Sequence, residues 1–135
     1  MAYMLDTNIC IAIMKGHPGV RSKLHLIGPD EICISSIVQA ELCYGVWKSV
    51  HRTHNAQALA DFLFMCLILD WPSEAANTYG EIRSTLEIQG HIIGANDLLI
   101  AAHARYLNAV LVTNNVREFG RIPVLDVENW IDPPP

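Results

Sequence analysis

The sequence predicts a layered α/β domain with a central, mainly parallel sheet of four to five strands. Two observations point there. Four short, largely apolar stretches, AYML (2–5), EICIS (31–35), LIL (67–69) and AVLVT (109–113), read as strands covered on both faces, as in a parallel sheet. Helical patterns fall between them, and this alternation of strand and helix is the order of a layered α/β domain.

Taken in order, AYML ends at Asp6, and a helix of about nine residues is expected to follow. After EICIS, Ser36 with Gln39 makes a capping box that opens a helix through IVQAELCYGVWKS (37–49). The stretch VHRTHNAQALADFLFMC (50–66) supplies another helix. Beyond LIL, Pro72-Ser73 opens a long helix from about Glu74 to Gln89, and Gly90 suits its left-handed stop. Asn96 or Asp97 caps LLIAAHARYL (98–107), whose apolar residues surround nearly the whole helix and make it central and buried. AVLVT is the fourth strand and PVLD (123–126) a fifth. The domain is expected to span 1–132, with 133–135 a short proline tail.

The chain has 135 residues, half of them apolar (51%), enough to build a sizeable core. Its longest apolar run, Phe62 to Leu69, is far shorter than the ~20 residues of a membrane helix. The opening residues lack the layout of a signal peptide, so the expected compartment is the cytoplasm, with no membrane partner. Cys10, Cys33, Cys43 and Cys66 sit among apolar neighbours without C-x-x-C spacing and read as reduced, buried thiols. His51 and His54 have no cysteine nearby to complete a zinc set and read as solvated.

A net charge of −5 excludes general nucleic-acid coating, which needs broad basic surfaces. It does not exclude a nuclease, because a carboxylate site adds negative charge that a bound metal neutralises. The basic residues fall in small groups: Lys15, Arg21 and Lys23; Lys48 and Arg52; Arg117 and Arg121. Each serves as a phosphate contact or simply as wet surface.

In open parallel sheets, sites form beyond the carboxyl ends of the strands. Asp6 lies there directly, and Glu41 about a turn and a half into the helix leaving the second strand. Thr113, Asn114 and Asn115 follow the strand AVLV, while Asp97 starts the helix leading into it. Asp6 and Asp97 are each readable as helix caps, and Glu41 as a solvated acid. Together they are three carboxylates at one edge with no obvious cation partner, which repel one another and are costly to bury. A divalent metal removes that cost, and hard oxygen ligands suit Mg²⁺ or Mn²⁺. Such a site attacks phosphorus, so the expectation is a phosphodiester or phosphate-ester hydrolase.

The stretches LDTNI (5–9), ELCYG (41–45), IGANDLLIAAHA (93–104) and LVTNNVREFGRIP (111–123) resemble the PIN-domain ribonucleases, specifically the VapC-type toxins of bacterial toxin–antitoxin pairs. The match runs in order from Leu5 to about Trp130. The resemblance implies a three-layer α/β/α fold and makes Asp6, Glu41 and Asp97 the metal-binding acids. Thr7 and Asn8 match residues that buttress the first acid, and Thr113 a hydroxyl that reaches the site. The family's fourth position, frequently Asp, falls on Asn115. It further implies a Mg²⁺-dependent endoribonuclease, with Mn²⁺ substituting, acting on structured RNA such as tRNA. A homodimer and inhibition by a cognate VapB-type antitoxin complete that picture.

Arg83 matches an arginine of relatives and contacts phosphate in one reading, or pairs with Glu87 in the other. Tyr44, Trp47 and Trp130 read as base-stacking residues or as core or dimer packing. Two other functions stay open. A small-molecule phosphatase would use Asp6 as nucleophile, but such enzymes show D-x-D where this chain has Asn8. A catalytically idle PIN interaction module would be expected to lack one of the three acids.

Overall fold

The computed structural model describes residues 2–135. Five strands, β1 (Tyr3–Leu5), β2 (Ile32–Ser35), β3 (Ile68–Leu69), β4 (Val110–Val112) and β5 (Val127–Glu128), form one sheet. Every pairing is parallel and the strand order is β3-β2-β1-β4-β5. Around it lie α1 (Thr7–Met14), α2 (Pro18–Ile27), α3 (Ser36–Trp47), α4 (Arg52–Phe64), α5 (Ala76–Gln89), α6 (Ala95–Tyr106) and α7 (Val116–Phe119). Consecutive residues of β1 and all four of β2 are buried, so both faces of the sheet are covered, as the doubly apolar strands require. α6 carries six buried residues from Leu98 to Ala104 and is the central helix its composition called for.

The order of the strands decides where a site can form. The sheet grows from β1 outward through β2 to β3, then the chain returns to the other side of β1 for β4 and β5. The direction of growth therefore reverses between β1 and β4, and the crevice at their carboxyl ends is the switch point where α/β sheets bind ligands. Leu5 pairs with Val112, so Asp6 and Thr113 leave the sheet side by side.

Several boundaries differ from the sequence reading, each for a physical reason. Ser35, not Ser36, caps α3: its hydroxyl accepts the Ile37 N–H at 3.2 Å, while Ser36 Oγ accepts the Trp71 N–H at 3.0 Å. Gly94 is the N-cap of α6, which places both Asn96 and Asp97 inside its first turn. No strand forms over 123–126, because Val124 has φ 60°, a left-handed backbone that a β-branched residue cannot carry within a strand; β5 begins at Val127. α2 was not expected: its only buried residue is Val20, too thin an apolar stripe to read, and its start is built by Pro18 with His17 accepting the Val20 N–H. The long helix behaves as read, opening through a 3₁₀ turn (Ser73–Ala75) and stopping at Gly90 with φ 71°.

All four cysteines are free. Cys10 and Cys33 are buried and Cys66 is half-buried, but Cys43 is exposed, because one step beyond buried Leu42 turns about 100° around the helix. Among the described residues no helix is long and apolar enough to cross a membrane.

Candidate metal centre

Asp6 follows β1 and caps α1 through its own side chain. It is buried, with Oδ1 accepting the Thr7 N–H and Oδ2 accepting the Thr113 hydroxyl, both at 2.8 Å. Burial raises its carboxyl above the usual range. The hydrogen bonds from Thr113 and Thr7 pull it part of the way back, and the charge of Glu41 adds to the rise.

Glu41 reaches the same edge from α3. Its Oε1 accepts the Thr7 hydroxyl at 2.6 Å, and its Oε2 faces the Asn96 amide at 3.5 Å. Thr7 thus bridges the two acids, giving its N–H to one and its hydroxyl to the other. Asn8 is exposed on α1 and makes no side-chain hydrogen bond among the described residues.

Asp97, in the first turn of α6, has its carboxyl pushed up to about 6. Burial is the main cause, followed by the charges of Asp6, Glu41 and Glu118. Four acids from four elements therefore share one electrostatic field. Sequence reading missed the fourth. Asn115 donates its side-chain amide to Glu118 Oε2 at 2.9 Å and its backbone N–H to Thr113 Oγ1 at 3.0 Å. The signal was the i,i+3 spacing of Asn115 and Glu118, hidden because α7 has only four residues.

Among the described residues, ion pairs join Arg83 to Glu87 and Arg105 to Glu81, and none touches these acids. Among the described residues no three Asp, Glu, His or Cys side chains stand close enough to grip a metal in this arrangement, where Glu41 is engaged by Thr7 and Asn96. The donor set nevertheless fits a hard dication in chemistry: oxygen ligands only, raised carboxyls and no protein cation.

The remaining candidates lie elsewhere. Arg83 is exposed on α5 with Nε 3.4 Å from Glu87 and its guanidinium donating to Tyr79 Oη at 2.9 Å, the ion-pair arrangement. Tyr44 and Trp47 are exposed, with Lys48 and Arg52 over their respective rings. Trp130 is core: its ring packs on Tyr3 and its indole N–H goes to Glu128. His51 and His54 are solvated as read. A groove lined by Ile13, Met14, Leu24, Phe62 and Met65 contains none of Asp6, Glu41, Asp97 and Glu118.

The PIN domain family matches residues 3–125. The chain is 51% identical to the Rickettsia felis protein named Ribonuclease VapC2 over 132 residues, covering 96% of this chain and 98% of that one. It is 40% identical to the tRNA(fMet)-specific endonuclease VapC of Shigella flexneri over 131 residues, covering 96% and 98%. Its fold matches a chain in the crystal structure of VapBC2 from Rickettsia felis bound to a promoter DNA fragment with a TM-score of 0.90 and 49% identity, covering 96% of this chain and 99% of that one.

Proposed function

The chain belongs to the PIN-domain family, and from that premise we propose that it is a Mg²⁺-dependent endoribonuclease acting in the cytoplasm as the toxin of a toxin–antitoxin pair. The observation that carries the reading is the field shared by Asp6, Glu41, Asp97 and Glu118 at the β1/β4 switch point, unrelieved by any ion pair among the described residues. Asp6, Glu41 and Asp97 would hold the ion, with Mn²⁺ substituting for Mg²⁺, and Glu118 would add charge beside them. A dication there supplies Lewis acidity toward a phosphate oxygen and acidifies water for attack on phosphorus.

The protein's own groups arrange the rest. Thr7 sets the spacing of Asp6 and Glu41, and Thr113 orients the Asp6 carboxylate. Asn115 restrains the Glu118 carboxylate through its side-chain amide. Relatives with the tRNA(fMet)-specific name favour a structured RNA, tRNA included, as substrate. The VapBC complex among its structural neighbours favours a cognate VapB-type antitoxin, and the net charge of −5 with its clustered acids favours an Arg or Lys from that partner neutralising them.

Incubating purified protein with an RNA panel, with and without Mg²⁺, tests the reading. Cleavage that needs the metal and leaves 5′-phosphate and 3′-hydroxyl ends is expected. Cyclic phosphate ends, or full activity in EDTA, would overturn it.

A further inference from the structure

Ser35, the N-cap of α3, and His103 on α6 meet in the core, each six residues in sequence from one of the acids. Ser35 Oγ accepts the Ile37 N–H and lies 2.8 Å from His103 Nδ1. The tautomer of the neutral imidazole sets which of the two donates. Burial favours this neutral ring by lowering the imidazole's proton affinity. Beside it, Ser36 accepts the Trp71 N–H, and the Trp71 indole donates to the Leu99 carbonyl at 2.8 Å. Two adjacent serines thus hold α6 twice, once directly and once through Trp71.

Helix geometry turns this into a statement about the site. Glu41 stands six residues after Ser35 on α3, and Asp97 six residues before His103 on α6, each about 9 Å along its axis. The two helices therefore run side by side in opposite directions. They are joined at one end by Ser35 and His103, and at the other where Asn96 reaches Glu41. A slide of one along the other displaces Glu41 relative to Asp97 by the same distance along the axis.

We propose that the Ser35–His103 hydrogen bond is a positioning device for the metal-binding acids, setting the register of α3 against α6 and with it the separation of Glu41 from Asp97. The inference rests on the reading of those acids as a metal site. Neither residue touches the ion or the RNA. They act through the helices, one step further out than the hydrogen-bond partners of metal ligands.

Titration calorimetry of Mn²⁺ into RNA-free protein, with thermal melts alongside, separates this from simple helix capping. Ser35→Ala and His103→Leu are each expected to weaken Mn²⁺ binding by roughly tenfold, the scale on which outer partners act. The double variant should lose no more. Ser35→Thr and His103→Asn keep a hydroxyl and an acceptor at the two atoms and should bind close to the parent. Parent-like Mn²⁺ affinity in Ser35→Ala and His103→Leu, with only a lower melting midpoint, would overturn the proposal and leave a cap. Should Ser35→Ala fail to fold, the same decision falls to His103→Asn against His103→Leu, and equal affinities in that pair overturn it. A parent protein that neither binds Mn²⁺ nor cleaves RNA overturns the functional reading itself; a parent that binds while its variants match it overturns this inference alone.

Discussion

The Asn115 side chain donates to Glu118 Oε2 across 2.9 Å, so the amide at the family's fourth position holds a carboxylate in place instead of substituting for one. Glu118→Gln is therefore expected to weaken Mn²⁺ binding, roughly three- to tenfold, because affinity in an oxygen-ligand site follows charge count. Asn115→Asp sets a further carboxylate against Glu118. It should melt lower than the parent without metal and gain more on adding Mn²⁺. Calorimetry and melts on the three proteins decide; identical Mn²⁺ affinity in all of them would remove Glu118 and Asn115 from the site.

Asp97 gives a pH signature. The folded protein keeps its proton to about pH 6, whereas the unfolded chain releases it near 3.8. Between those values the folded state binds more protons, so stability falls as pH rises through the window. Asp97→Asn should therefore melt higher than the metal-free parent at neutral pH. The gain is on the order of 1 kcal/mol after solvent screening, and it vanishes by about pH 4. Adding Mn²⁺ should reverse the order. A variant that melts below the metal-free parent at neutral pH would rule out repulsion among the acids.

Thr113 is fully buried, and its hydroxyl lowers the Asp6 carboxyl. Thr113→Val keeps the shape and removes that bond. The acidic limb of the pH–rate profile should then move to higher pH, and unfolding in urea should show a loss of about 1–2 kcal/mol from the acceptor left short of a donor. An unmoved limb would mean that Asp6 does not govern it.

Asp6→Asn keeps an oxygen for the Thr7 N–H and removes the charge. It is expected to fold, to lose at least about 100-fold in RNA cleavage, and to abolish growth arrest on expression at equal level. A toxic Asp6→Asn protein would show that Asp6 is not part of the chemistry.

The strands and the central helix were legible because their signals are local: apolar runs with both faces buried, and a helix apolar all round. The clustering of Asp6, Glu41 and Asp97 at one edge was legible because a parallel sheet points its strand ends the same way. Other features depend on relations no single stretch displays. Of two neighbouring serines, only the packing of α6 through His103 decides that Ser35 caps α3. The left-handed turn at Val124 runs against residue preference, and so shifted the last strand. Glu118 sits in a helix too short to have a period. Cys43 was misplaced because apolar neighbours in sequence do not fix which way a helix faces.

β1 is the first strand to be made and the middle one of the sheet, and Asp6 waits for a hydroxyl 107 positions further on. Contacts over such separations form late and slowly. A chain still on the ribosome holds Asp6, Glu41 and Asp97 well before β4 exists to fill the open flank of β1. A product cut short ahead of Val110 carries all three acids with no floor beneath them. The edge that gathers these acids is therefore complete only once β4 has been made, however early Asp6 leaves the ribosome.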